Sequence, residues 1–142
     1  MRQYTTWRYG ITGRGEGRAV QERGNGGRGE GGDVGAIAMV GQCYFRGSDG
    51  FKKVHTKALE WWERAGEGGN ADACVSAGAV HYNGAGGIKV DRRKAFEWYQ
   101  KGGELGSEEG WRNVVECYVR GEGVEKCERS AKYIVDTIIK GK

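Results

Sequence analysis

The chain has 142 residues, the size of about one domain, and 28 of them are glycine while none is proline. Its net charge is only +4, and most of the excess lies in residues 1–31. The near-neutral remainder excludes an extended nucleic-acid or membrane footprint there, and no window approaches the ~18 consecutive apolar residues of a membrane helix.

Residues 1–31 hold six arginines (Arg2, Arg8, Arg14, Arg18, Arg23, Arg28) against three glutamates (Glu16, Glu22, Glu30). From Arg14 on, Val20 is the only branched apolar side chain and aromatic residues are absent, so burial cannot offset the ordering entropy. A flexible Gly/Arg/Glu-rich tail is expected. Two rival readings are an eroded repeat, because "RGEGGD" echoes "AGEGGN", and an RNA-binding tail, which the interleaved glutamates weaken. "MRQYTTWRYG" contains no apolar run of signal-peptide length, so a cytoplasmic location is expected.

From Gly32 onward the chain is periodic. "KALEWWERAG" from Lys57 returns as "KAFEWYQKGG" from Lys94, 37 residues later. Gly47, Gly84 and Gly121 keep the same spacing, as do Asp33, Asn70 and Ser107. The last three are residue types whose short side-chain oxygens cap helix N-termini. The glycines suit the left-handed position just past a helix C-terminus. Each unit therefore opens with a helix: "VGAIAMVGQCYFR", "ADACVSAGAVHYN" and "EEGWRNVVECYVR".

A loop and a second helix follow in each unit. Ala58, Trp61, Trp62 and Ala65 fall on one face of a 3.6-residue period. Ala95, Trp98, Tyr99 and Gly102 repeat that face, and Ala131, Ile134, Val135 and Ile138 repeat it one residue early. The pattern predicts an all-α protein of three helix–loop–helix units, at 32–68, 69–105 and 106–140. Trp98, in the middle unit, is expected to carry more stability than any other ring.

These residues resemble the Sel1-like repeat, a relative of the tetratricopeptide repeat. The resemblance is carried by Ala36, Val40, Gly41, Tyr44, Gly47, Phe51, Lys57, Ala58 and Trp61 in the first unit. In the second it rests on Ala73, Gly78, Tyr82, Gly84, Ile88, Asp91, Lys94, Ala95, Trp98 and Tyr99, and in the third on Tyr118, Gly121, Gly123, Val124, Ala131 and Tyr133. It implies an α/α solenoid. His81 stands in the usual tyrosine slot of unit two, while Gly110 and Val115 replace an expected alanine and glycine in unit three. Val54 and Cys127 stand where unit two has Asp91.

Little in the sequence suggests catalysis. Neither His55, expected in a loop, nor His81, expected in the core, lies in a nucleophile-activating spacing. "GRGEGR" follows no strand and so fails as a dinucleotide fingerprint. With no CxxC pair, zinc is not expected, and no cofactor is. Cys43 and Cys117 are two repeats apart, too far for a disulfide. Cys74 begins a helix and Cys127 lies in a loop. Some secreted members of the resembled family staple each repeat with a disulfide, but "AGEGGNADA" lacks the second cysteine. Buried thiols in a reducing compartment are expected.

The resemblance implies an adaptor or scaffold that binds a protein or peptide, in signalling or protein quality control. The alternatives are an RNA-associated protein using the tail and a hydrolase of the cysteine-rich repeat kind. A concave face would be lined by outward positions of the first helices: Met39, Gln42 and Arg46; Ser76 and Asn83; Asn113, Glu116 and Arg120. The last helix, "SAKYIVDTIIKGK", carries apolar residues on more than one side. Tyr133 and Ile139 lie off the stripe that hides Ile138, so Tyr133, Ile138 and Ile139 form an expected edge for self-association.

Overall fold

The structure, a computed structural model, describes residues 31–141, with side chains from residue 34. The tail expected over 1–31 lies outside the described residues, except that Gly31 already opens the first helix. Six helices follow: α1 (Gly31–Arg46), α2 (His55–Glu67), α3 (Ala71–Asn83), α4 (Arg92–Glu104), α5 (Glu108–Arg120) and α6 (Glu128–Ile134). A π-helical turn, Val135–Ile139, prolongs α6. The protein is all-α, and its helices form the expected helix–loop–helix repeats. The chain divides into two compact units between Asn70 and Ala71; the first holds α1 and α2, the second α3 to α6.

The periodic residues act as punctuation. Gly47, Gly84 and Gly121 have φ of 71°, 76° and 72°, a region that costs a residue with a Cβ. Each N–H bonds the carbonyl four residues back, at 2.7, 2.7 and 2.8 Å, and so satisfies an otherwise orphaned helix-end acceptor. Ser107 caps α5, accepting from the Gly110 N–H at 3.0 Å. Asp91 caps α4 likewise, from Lys94 at 3.1 Å. Cys127 is no loop residue: its sulfur is the N-cap of α6, accepting from the Ser130 N–H at 3.4 Å. Val54, with no acceptor in its side chain, leaves α2 without that bond.

Asn70 directly precedes α3, as a cap should. Asp33 does not: α1 starts at Gly31, so Asp33 falls in the first turn. His55, expected in a loop, is the first residue of α2.

A second repeated bond closes each loop. The N–H of Val54 donates to the Tyr44 carbonyl at 2.9 Å, that of Asp91 to His81 at 2.7 Å, and that of Cys127 to Tyr118 at 3.0 Å. The N-cap of each second helix is thereby tied to an equivalent carbonyl on the first. His81 takes the tyrosine's place in this arrangement and is buried.

In the first unit, α1 and α2 meet through Val40, Tyr44, Ala58, Trp61, Trp62 and Ala65, all buried. The Trp62 indole N–H donates to the Ala38 carbonyl at 3.1 Å. A Cβ on Gly41 would lie 2.7 Å from that indole ring, so the close approach requires glycine. Tyr44 meets Phe51 edge-on at 4.9 Å, and Phe45 stacks between His55 and Trp62 at 4.6 and 5.3 Å.

The second unit repeats the arrangement one repeat on. A Cβ on Gly78 would lie 2.7 Å from Tyr99, the residue in register with Trp62. Tyr99 is buried with Val75, Ala95, Val114, Cys117 and Ile134 in one core. Trp98, the ring expected to carry the most stability, is only part-buried, whereas Tyr99 beside it is buried. Unit three's departures also have a cause. A Cβ on Gly110 would meet the Gly103 nitrogen at 2.7 Å and the Tyr99 carbonyl at 2.8 Å. Here α5 lies so close on α4 that the alanine of the other repeats has no room.

The end of α6 departs from its expected register. Lys140 N–H bonds the Val135 carbonyl, five residues back, at 2.8 Å. The wider turn swings Ile139 inward beside Ile138, and both pack against the core. Of the expected association edge, Tyr133 is 62% exposed and turned to solvent, while Ile138 and Ile139 are part-buried.

Candidate functional site

The first helices of the repeats bury one side and leave other positions toward solvent, most fully on α1 and α5. On α1, Val40, Cys43 and Tyr44 are buried while Met39, Gln42 and Arg46 are exposed. In the second unit, α3 presents Asn83 exposed and Ser76 half-buried; α5 presents Glu116 and Arg120 exposed and Asn113 half-buried. All eight expected positions thus lie at or near the surface of their own unit.

Their chemistry is largely satisfied internally. The Asn83 amide donates to the Ala79 carbonyl within its helix at 3.1 Å. Arg120 pairs with Glu116 at 3.0 Å, and Arg112 with Glu108 one turn earlier. Exposed i,i+4 pairs are worth only ~0.3–0.5 kcal/mol, so a partner can break them at small cost. The face is polar and close to neutral.

Sequence reasoning missed a cluster at the loop end of the second unit. The Tyr82 hydroxyl donates to a Glu122 carboxylate oxygen. Arg92 lies over the Tyr82 ring at 4.2 Å, donates to the Tyr82 carbonyl at 3.2 Å and pairs with Glu122 at 3.5 Å. The hydrogen bond to Glu122, followed by burial, raises the Tyr82 phenol above its usual range. The one signal in the sequence was Tyr82 beside His81, which stands in the usual tyrosine slot.

The remaining reactive groups are quiet. No disulfide joins the four cysteines, and three of them are buried. Burial pushes Cys117 up to about 11 and Tyr99 up to about 12. Hydrogen bonds with Ser130 lower the Cys127 thiol. Among the described residues no group of three His, Cys, Asp or Glu is placed to hold a metal ion, and no helix is long and apolar enough to cross a membrane.

The buried pair makes the protein sensitive to alkali. Both folded-state pKa values lie above the ordinary 9.0 and 10.0. Their contribution is therefore complete below about pH 9 and is lost as pH rises through about 11 and then about 12. At 1.36 kcal/mol per unit, the Cys117 step is worth about 3 kcal/mol. Urea unfolding at pH 8.5 and 11 measures it, and Cys117→Ala is expected to flatten that limb. An unchanged slope in the variant would assign the loss elsewhere.

The Sel1 repeat profile matches residues 34–70 and 71–107, just over half of the chain. The chain belongs to the Sel1 repeat family. Solved Sel1 relatives superpose on it. A Sel1 repeat protein from Oxalobacter formigenes is 28% identical, with a TM-score of 0.65 over 69% of this chain and 40% of its own. Helicobacter pylori cysteine rich protein B is 26% identical, with a TM-score of 0.56 over 69% of this chain and 74% of its own. A protective antigen of uropathogenic Escherichia coli strains, displaying an SLR fold, is 20% identical and reaches a TM-score of 0.72 over 99% of this chain and 30% of its own; at that identity the likeness shows the fold alone. The chain thus spans well under two-thirds of the length of the Oxalobacter and Escherichia coli proteins. No curated protein matches it.

Sel1 repeats commonly mediate protein–protein interaction and are generally non-catalytic scaffolds. The two matched Sel1 repeats coincide with α1–α2 and α3–α4. The third, α5–α6, lies almost wholly beyond the profile match. It keeps the serine cap, the left-handed glycine and the loop-closing bond of the others.

Proposed function

We propose that this chain is a non-catalytic scaffold or adaptor whose first-helix faces bind a protein or peptide. The observation that carries the reading is the alternation on α1, α3 and α5. The outward side carries Met39, Gln42 and Arg46 on α1 and Glu116 and Arg120 on α5, of mixed chemistry and little net charge, while α3, buried over most of its length, adds Asn83 at its end. Such a face suits many weak polar contacts with a peptide more than a single charged ligand. The tail at 1–31, the repeat units at 32–68, 69–105 and 106–140, and a role in signalling or quality control belong to the same proposal.

A photo-crosslinking amino acid placed at 42, 83 or 116 in the full chain, within its native cells, tests it. The same label at Arg93 and Glu97, exposed on the second helix α4, is the control. The expected result is a defined protein adduct from the first-helix positions and none from α4. Equal labelling from both sets would sink the reading.

A further inference from the structure

The third loop reaches back onto the repeat before it. After α5 the chain passes through Gly121, Glu122 and Gly123, and both glycines are left-handed, at φ 72° and 77°. Between them Glu122 turns back onto the preceding repeat, where it takes the Tyr82 hydroxyl from the end of α3 and the Arg92 guanidinium from the start of α4. Gly123 makes the same journey through its backbone. A Cβ there would stand 2.1 Å from the Arg92 carbonyl oxygen and 3.0 Å from the Arg93 nitrogen. Main chain thus lies against main chain between residues 31 positions apart in sequence.

The ring-and-partner half of this contact recurs in the first repeat. Phe45 stacks on His55 at 4.6 Å, as Tyr82 receives Arg92 at the equivalent positions 37 residues on. The residues in register with Glu122, however, are Ser48 and Ala85, which have no carboxylate. Phe45 likewise offers no hydroxyl to take one. The cluster therefore belongs to one joint, between the second and third repeats.

We propose that this loop is a conformational latch, with Glu122 closing on Tyr82 and Arg92 to hold the third repeat on the second. Because α3 and α5 carry the outward columns of the two repeats, the latch sets how those columns are spaced. The consequence for partner binding rests on the function proposed above, whereas the latch itself is testable without a partner. Its bonds are charge-assisted, which makes them stronger than neutral ones, yet half-exposed, which leaves them open to salt and to a competing anionic group. Closed, it holds the α5–α6 hairpin against α4; open, the loop is free to lift with Gly123.

Hydrogen exchange read by mass spectrometry on the full chain tests this. The substitutions are Glu122→Gln, Tyr82→Phe and the two together. Each single change is expected to raise exchange in residues 121–126 and at the start of α4 about fivefold. The double change should be less than additive, because the Tyr82–Glu122 bond is common to both substitutions while the Arg92 pair is lost only with Glu122. Raising salt to about 0.5 M should speed exchange in the parent and not in Glu122→Gln. Tyr82→Phe keeps the ring beneath Arg92, so it reads the bond even if Glu122→Gln disturbs folding. Unchanged exchange in both single variants, or fully additive effects in the double, would overturn the latch.

Discussion

Tyr99→Ala is expected to destabilise the protein by about 3–5 kcal/mol, the range for deleting a buried aromatic ring. Tyr99 is 6% exposed and lies where three helices converge. Gly78 of α3 approaches its ring edge, and the backbone of α5 at Gly110 lies against its carbonyl. Val114, Cys117 and Ile134 share its core. Removing the ring empties a site that rigid helices on several sides cannot collapse to fill. Trp98, one residue earlier on the same helix, is half-buried, and Trp98→Ala should cost about 1–2 kcal/mol. Urea midpoints of the two variants decide the matter. If Trp98→Ala shifts the midpoint further, the core has been placed on the wrong side of α4.

Trp62→Ala should cost a comparable amount, about 3–5 kcal/mol, in the first unit. Trp62 is the register mate of Tyr99, buried to 8%, with its indole pressed on Gly41 and its N–H bonded to Ala38. Two losses combine: the packing of a large ring, and a carbonyl left without its donor. Trp62→Phe keeps a ring but removes the N–H together with part of the indole's volume, and should cost less than Trp62→Ala. Near-UV circular dichroism during urea unfolding follows the change where it occurs. Equal midpoints for Trp62→Ala and the parent would mean that α2 does not hold α1 through this ring.

The two rings clarify unit three. Gly41 and Gly78 are glycine because a wide ring from the second helix needs the space. In the third repeat the register places Val115 and Val135 at these positions, a branched side chain opposite a smaller one than an aromatic ring. The replacement of the expected glycine at 115 reads as the complement of the missing ring at 135. It is consistent with the volume-conserving exchanges that cores tolerate.

Much of this was legible without coordinates. The spacing of 37 put Gly47, Gly84 and Gly121 at three helix ends, and each is left-handed there. Ser107 caps as its residue type requires. The stripes at Ala58–Ala65 and Ala95–Gly102 face inward, because a 3.6-residue period leaves an amphipathic helix little choice. The outward columns on the first helices followed from the same arithmetic.

What the sequence by itself determined, then, is the repeat, its helices, their ends and their buried sides, all set by local sterics, hydrogen-bonding groups and periodicity. Tertiary structure alone decided the rest. Trp98 and Tyr99 straddle one stripe, and only the seating of α3 and α5 on α4 made Tyr99 the central ring. The turn ending α6 widened by one residue, a shift no periodicity announces, and so carried Ile139 into the core. Tyr82, Arg92 and Glu122 lie 10 and 30 residues apart. They became neighbours because stacking one repeat on the next brought a loop back to the mouth of its predecessor, and contacts across such distances depend on the packed arrangement rather than on any pattern along the chain.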